Sequence, residues 1–131
     1  MNIPDNLFYT KEHEWVLIEG NKAKMGISDY AQSHLGDITY IEPPEQGKEA
    51  KQFEGLTSIE SVKAASDVYA PMSGKVVEVN GGLDSSPELL NKSPYKDGWI
   101  AVIQIQDISE KNNLMDSNKY KEYLSSLEKH E

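Results

Sequence analysis

The sequence predicts a mainly β protein with a single amphipathic helix near its C-terminal end. Three observations predict this: short apolar runs separated by turn residues over the first two-thirds, a hairpin signal at Gly20-Asn21, and a helical stripe confined to the tail. Residues 13–19 (HEWVLIE) and 22–27 (KAKMGI) flank Gly20-Asn21, a pair suited to a two-residue turn with positive φ at the glycine. Residues 28–35 (SDYAQSHL) read as a short helix. Ser28 caps it, Ile27, Ala31 and Leu35 share one face, and Gly36 stops it. A strand at 37–42 (DITYIE) runs into Pro43-Pro44 and a turn at Gly47, and strands follow at about 53–62, 67–71 and 74–80. Residues 86–91 (SPELLN) predict one or two helical turns, with Ser86 as cap and Pro87 in the first helical position. A last apolar strand spans 99–106 (WIAVIQIQ). In residues 116–129, Tyr120, Tyr123, Leu124 and Leu127 fall at i, i+3, i+4 and i+7, with Asp116 or Ser117 as cap. The opposite face, with Lys119, Lys121, Glu122, Glu128 and Lys129, is left to solvent, so this helix packs on the β body. Gly36-x-Ile38-x-x-Ile41 and Gly74-x-Val76-x-x-Val79 repeat one pattern 38 residues apart, as a two-sheet barrel of similar halves would.

Length and charge set the outer bounds. The 131 residues suit one domain, 1–131, able to bury a core. Thirteen basic residues, all lysine, face 22 acidic ones, for a net charge of −9. Nucleic acid and anionic membranes both demand a basic face, and no apolar run approaches the ~18 residues of a bilayer span. The opening Met1-Asn2-Ile3-Pro4-Asp5 lacks the basic start and apolar centre of a targeting peptide. Without cysteine there is no thiol catalysis, cysteine–zinc site, iron–sulfur cluster or disulfide. Any redox role must come from a group added after translation. His13, His34 and His130 are the only neutral metal ligands, none paired as His-x-x-x-His, so no metal site is expected.

Glu12, Glu14 and Asp67 are candidates for acid–base pairing, and His34 for proton transfer near neutral pH. Yet 22 carboxylates in a chain this short produce such pairs by chance, and no nucleophile elbow, phosphate loop or dinucleotide fingerprint occurs. No catalytic residue is therefore assigned. His34 falls in the last turn of its helix, where a cation is favoured, and His13 reads as a surface or cap-region histidine. Trp99, Tyr69 and Tyr95 read as core or rim packing. The segment 58–74 (SIESVKAASDVYAPMSG) is more informative. Lys63 sits where the chain should reverse, in a hairpin tip at about 60–67, flanked by small and apolar residues instead of the usual Asn-Gly or Asp-Gly. Such a tip is accessible to a modifying enzyme and projects a flexible stem into solvent.

The stretch GLTSIESVKAASDVYAPMSGKVVEVN resembles the lipoyl-attachment segment of the glycine cleavage H-protein family. EHEWV (12–16), GISDYAQSHLGDITYIEPPEQG (26–47), NKSPYKDGWI (91–100) and the helical tail follow in the family's order. Biotin-carrier segments differ, flanking their lysine with methionines where this chain has Val62 and Ala64. The resemblance implies a flattened barrel-sandwich hybrid of two antiparallel sheets, lipoyl-domain-like, with short helices and a C-terminal helix. It implies lipoate carried covalently as N6-lipoyl-lysine at Lys63, in a carrier that catalyses no turnover alone.

The partners implied are a pyridoxal-phosphate glycine decarboxylase, a tetrahydrofolate-dependent aminomethyltransferase and a flavin (FAD) dihydrolipoyl dehydrogenase, together with the lipoate ligase or lipoyl/octanoyl transferase that attaches the group. The arm ferries an aminomethyl group between the first two, and electrons to the third. A cleft near Glu14, His34 and Asp67 is expected to shelter the loaded arm, with Glu14 and Asp67 holding its amine. Glu60 and Asp67, on either side of Lys63, are expected to guide the attaching enzyme. Gly36, Gly47 and Gly74 match family glycines, each expected to permit positive φ. The compartment implied is the bacterial cytoplasm, or the mitochondrial matrix for a processed eukaryotic protein. An alternative is a lipoate relay of the same fold, passing lipoyl groups to other enzymes through Lys63. Pro43-Pro44 and Gln52-Phe53-Glu54 depart from the family pattern.

Overall fold

In the computed structural model, which describes residues 1–128, nine strands form two antiparallel sheets. The larger sheet contains β1 (Phe8–Tyr9), β2 (Glu14–Glu19), β3 (Lys22–Ile27), β5 (Glu49–Ala50), β8 (Gly74–Val79) and β9 (Ala101–Ile105), in the order β1-β2-β3-β9-β8-β5. The smaller contains β4 (Ile38–Ile41), β6 (Gly55–Ser61) and β7 (Ala65–Tyr69), in the order β4-β6-β7. The two Gly-x-Ile/Val repeats open β4 and β8, one in each sheet.

Local chemistry explains the first elements. Gly20, at φ 61°, turns β2 into β3 in the register Glu19↔Lys22. The Ser28 hydroxyl accepts the Ala31 N–H at 3.2 Å and starts α1 (Asp29–Leu35), which ends at Gly36 with φ 76°. Gly47 also has positive φ, at 93°, but Gly74 does not. It opens β8 in regular pairing with Ile105, and a Cβ there would lie 1.9 Å from the Gln104 carbonyl oxygen. Close backbone approach, instead of a turn, is what requires glycine at this position.

Residues 82–92 fold as two single turns, α2 (Gly82–Ser85) and α3 (Leu89–Lys92). Ser86 is thus the C-cap of α2 rather than an N-cap, and Pro87 lies between the turns. A 3-10 helix (Ile108–Asn113) precedes α4 (Ser117–Glu128). Asp116 starts α4, its carboxylate accepting the Lys119 N–H at 2.8 Å. The expected helix end at Lys129 lies outside the described residues, as does His130.

Strand alternation divides β2 between two cores. Val16 joins the core between the sheets with Met25, Ile41, Ile59, Val68 and Ile103. Trp15 points the other way, into a second core with Leu7, Tyr9, Tyr30, Tyr120 and Leu124 that seats α4. No helix among the described residues is long and apolar enough to cross a membrane.

Candidate functional site

The β6–β7 hairpin positions Lys63. Glu60 pairs with Ala65, leaving Ser61–Ala64 as the reversal. Ser61 holds it closed: its N–H donates to Ala64 O at 2.8 Å, and its hydroxyl accepts from Ala64 N at 3.1 Å and from Lys63 N at 3.4 Å. A side-chain hydroxyl thus replaces the asparagine and glycine chemistry a tight tip normally uses. The tip is also anchored from below, since Val62 N–H donates to Asp37 O at 3.0 Å. Lys63 is exposed, and its Cε would lie 3.2 Å from a Cβ at Gly36, so the aliphatic stem crosses the α1–β4 junction where a side chain is missing. Val62, 69% exposed, flanks it with the exposed Ala64. The tip offers a primary amine on a fixed base with small neighbours, and this fits attachment of an acyl group.

The other residues expected at the site divide among three places. Glu60 and Asp67 share the outer face of the tip hairpin as diagonal neighbours, in the register Ser58↔Asp67 and Glu60↔Ala65. Asp67 lines a shallow depression with Glu42, Lys48 and Thr57. His34 is exposed in the last turn of α1, stacked on Tyr30 with centroids 4.0 Å apart. Glu14 is 1% exposed and turned between the sheets. The Thr10 hydroxyl donates to its Oε1 at 2.5 Å, and Tyr69 N–H, on β7, donates to its Oε2 at 3.2 Å. Thr10 and Tyr69 line a cavity of about 490 Å³ together with Lys11, Glu12, Phe53, Asn113 and Met115. The Glu14 carboxyl therefore lies directly behind the cavity wall, at the far end of β7 from Lys63.

Sequence reasoning missed a ring cluster that joins α1, β1, α4 and the turn before β2. His13, at φ 73°, lies tilted against Tyr30 with centroids 4.5 Å apart, and its Nδ1 lies 2.9 Å from the Tyr120 hydroxyl. Tyr120 also meets the Ser28 hydroxyl at 2.7 Å and stacks on Tyr9 at 4.4 Å. His13 is thus half-buried among rings. Tyr69 belongs to the cavity wall, whereas Trp99 packs beneath Lys24, and the Tyr95 hydroxyl bridges Asp29 N and Asn2 O. The aromatic spacing in the sequence carried some signal for this cluster, but only tertiary structure reveals the partners.

Burial pushes the Glu14 carboxyl up to about 7, the Thr10 and Tyr69 hydrogen bonds offsetting only part of the desolvation. Burial, followed by the charge of His34, pulls His13 down to about 4. The two have opposite effects on stability. The Glu14 contribution is complete below its ordinary value of 4.5 and is lost as the pH rises through 7; it is on the order of 3 kcal/mol. The His13 contribution is complete above 6.5 and lost as the pH falls through 4. Between pH 4.5 and 6.5 the two slopes oppose each other. Glu14→Gln is therefore expected to steepen acid destabilisation in that window, measured as urea midpoints at successive pH values. A variant slope no steeper than the parent's would refute this assignment.

Residues 7–127 match the family described as glycine cleavage H-protein. The chain is 52% identical over 120 residues to the glycine cleavage system H protein of Brevibacillus brevis, covering 92% of this chain and 95% of that one. It is 48% identical over 126 residues to the protein of the same name from Thermus thermophilus, covering 96% and 98%. Among solved structures, the glycine cleavage system H protein of Mycobacterium marinum matches with a TM-score of 0.82 at 33% identity, over 90% of this chain and 95% of that one.

Proposed function

Because the chain belongs to the glycine cleavage H-protein family, we propose that it is the lipoyl-bearing carrier of a bacterial, cytoplasmic glycine cleavage system and not an enzyme. Lys63 carries the attachment. The observation that bears most weight is its placement: an exposed amine on a Ser61-locked turn, its stem fitted across Gly36. With a lipoyl group attached, Lys63 would present a disulfide whose S–S bond could be exchanged for an S–aminomethyl bond and a thiol as glycine loses CO2. The partners proposed are a pyridoxal-phosphate decarboxylase, a tetrahydrofolate-dependent aminomethyltransferase and an FAD dihydrolipoyl dehydrogenase.

The chain's own residues present and shelter that arm. Glu60 and Asp67 face outward beside the tip, where an attaching ligase or lipoyl/octanoyl transferase must approach. Asp67 lies midway along β7 between Lys63 and the Glu14 cavity, and His34 stands two residues before Gly36, over which the stem of Lys63 passes. Glu14 sits behind the Thr10 and Tyr69 wall, where the positive charge of a cargo seated in the cavity favours its carboxylate form. The net charge of −9 favours electrostatically steered encounters with several enzymes.

Intact mass after expression with lipoate supplied tests the core of this reading. One lipoyl amide, localised to the peptide containing Lys63, is expected; an unmodified peptide would refute it. Reconstitution with the three enzymes separates glycine cleavage from lipoate relay. Glu14→Ala is expected to shorten the half-life of the cargo-loaded protein about tenfold, the equivalent of one charge-assisted hydrogen bond of ~1.4 kcal/mol. Equal decay in parent and variant would remove Glu14 from the cleft.

A further inference from the structure

Phe53 has φ 66°, in the left-handed region, although it is neither glycine nor asparagine. That region is costly for a bulky side chain, and a ring left 48% exposed regains only part of the cost by burial. Strain of this kind persists where surrounding structure enforces it, and it clusters at functional positions.

Here the enforcement is visible. Phe53 N–H donates to Ala70 O at 2.7 Å, and Ala70 N–H returns to Glu54 O at 2.8 Å. Gln52 N–H donates to Ser73 Oγ at 2.9 Å, while its side-chain amide donates to Pro71 O and Glu110 O at 3.0 Å and accepts from Asn113 at 2.9 Å. Ser73 is gripped in turn by both carboxylate oxygens of Glu110, at 2.8 and 2.7 Å. This knot fastens the 3-10 helix to the loop before β6 and holds Phe53 at the cavity that Tyr69 and Met115 also line.

The polarity of the cavity describes its occupant. Phe53, Tyr69 and Met115 offer an aromatic and thioether surface suited to a hydrocarbon chain ending in sulfur. Glu12 offers a carboxylate suited to a cation, against the like charge of Lys11, while the Thr10 hydroxyl is already engaged with Glu14 and with the Glu12 and Glu14 N–H groups. From the tip turn, β7 runs from Ala65 to Tyr69, four steps of extended chain or roughly 13 Å, and a lysine stem lengthened by an acyl chain has reach of the same order. We propose that Phe53 is a positioning residue: the apolar wall against which the end of the Lys63 arm is seated, held strained by the Gln52 knot so that water is kept from the amine cargo. The inference rests on the lipoyl reading above.

Phe53→Gly separates this role from packing because its two effects have opposite signs. Glycine relieves the strain, so the unlipoylated variant is expected to melt a few degrees above the parent. The same variant, loaded, is expected to lose its cargo at least about threefold faster. The amide shifts of Tyr69 and Met115 seen on loading the parent are expected to vanish. Phe53→Asn, which tolerates the same backbone, is expected to behave alike. A more stable variant with unchanged cargo half-life and unchanged shifts would overturn the proposal, and so would a variant less stable than the parent. Absence of a lipoyl amide on Lys63 in the parent would overturn the functional reading and this one together. A lipoylated Phe53→Gly that protects its cargo as well as the parent would overturn this one alone.

Discussion

Lys63→Arg is expected to abolish glycine cleavage in the reconstituted system while leaving the fold intact. Acyl attachment needs a primary amine that can lose its proton, and arginine's delocalised guanidinium does not do so in water. The fold should not register the change. The side chain is exposed, its stem crosses Gly36, and the turn is closed by Ser61, Ala64 and Asp37 through backbone and hydroxyl groups. Turnover with the decarboxylase, aminomethyltransferase and dehydrogenase should fall below roughly a hundredth of the parent's, with the melting temperature within about 1 °C, as for other exposed substitutions. Retained turnover would sink the carrier assignment. A large loss of stability would show that the stem is part of the core.

Gly74→Ala is expected to be the most damaging small substitution in the scaffold. The added Cβ would sit 1.9 Å from the Gln104 carbonyl oxygen and 2.8 Å from Ile103 Cγ2. The first of these is backbone, which no rotamer change can move aside. β8 lies between β9 and β5, so it cannot swing away without breaking the pairs Gly74↔Ile105 and Ala50↔Gly74. Overpacking of this kind costs about 3–5 kcal/mol, or roughly 10–20 °C in melting temperature for a domain of this size. Calorimetry of the unlipoylated protein measures it, and a shift under about 3 °C would mean that the two strands part freely at this end.

Legibility varied with how local the cause of each element is. The β2–β3 hairpin, the Ser28 cap and the stripe of α4 were all readable, because each depends on residues within a few positions of one another. β1 and β5 have two residues each, too few for any periodicity to register. The split of 82–92 into α2 and α3 escaped a reading that placed Ser86 at a start instead of an end. Lys63 was legible from its neighbours. The setting of Glu14 was not, since Thr10 lies before its strand and Tyr69 lies 55 residues later on the other sheet. Phe53 adopts a left-handed conformation that its residue type gives no reason to expect, and its bonds to Ala70 and those of Gln52 to Ser73, Pro71 and Glu110 hold it there.

The anchoring of Val62 to Asp37 bears on which enzymes the arm can serve. A tether whose root is fixed sweeps a small volume, and within it the attached group has an effective concentration on the millimolar scale. Beyond that radius the concentration drops to nothing, because the root does not follow the tip. The depth of a client enzyme's entrance channel, more than its affinity for the scaffold, then decides whether it can be served.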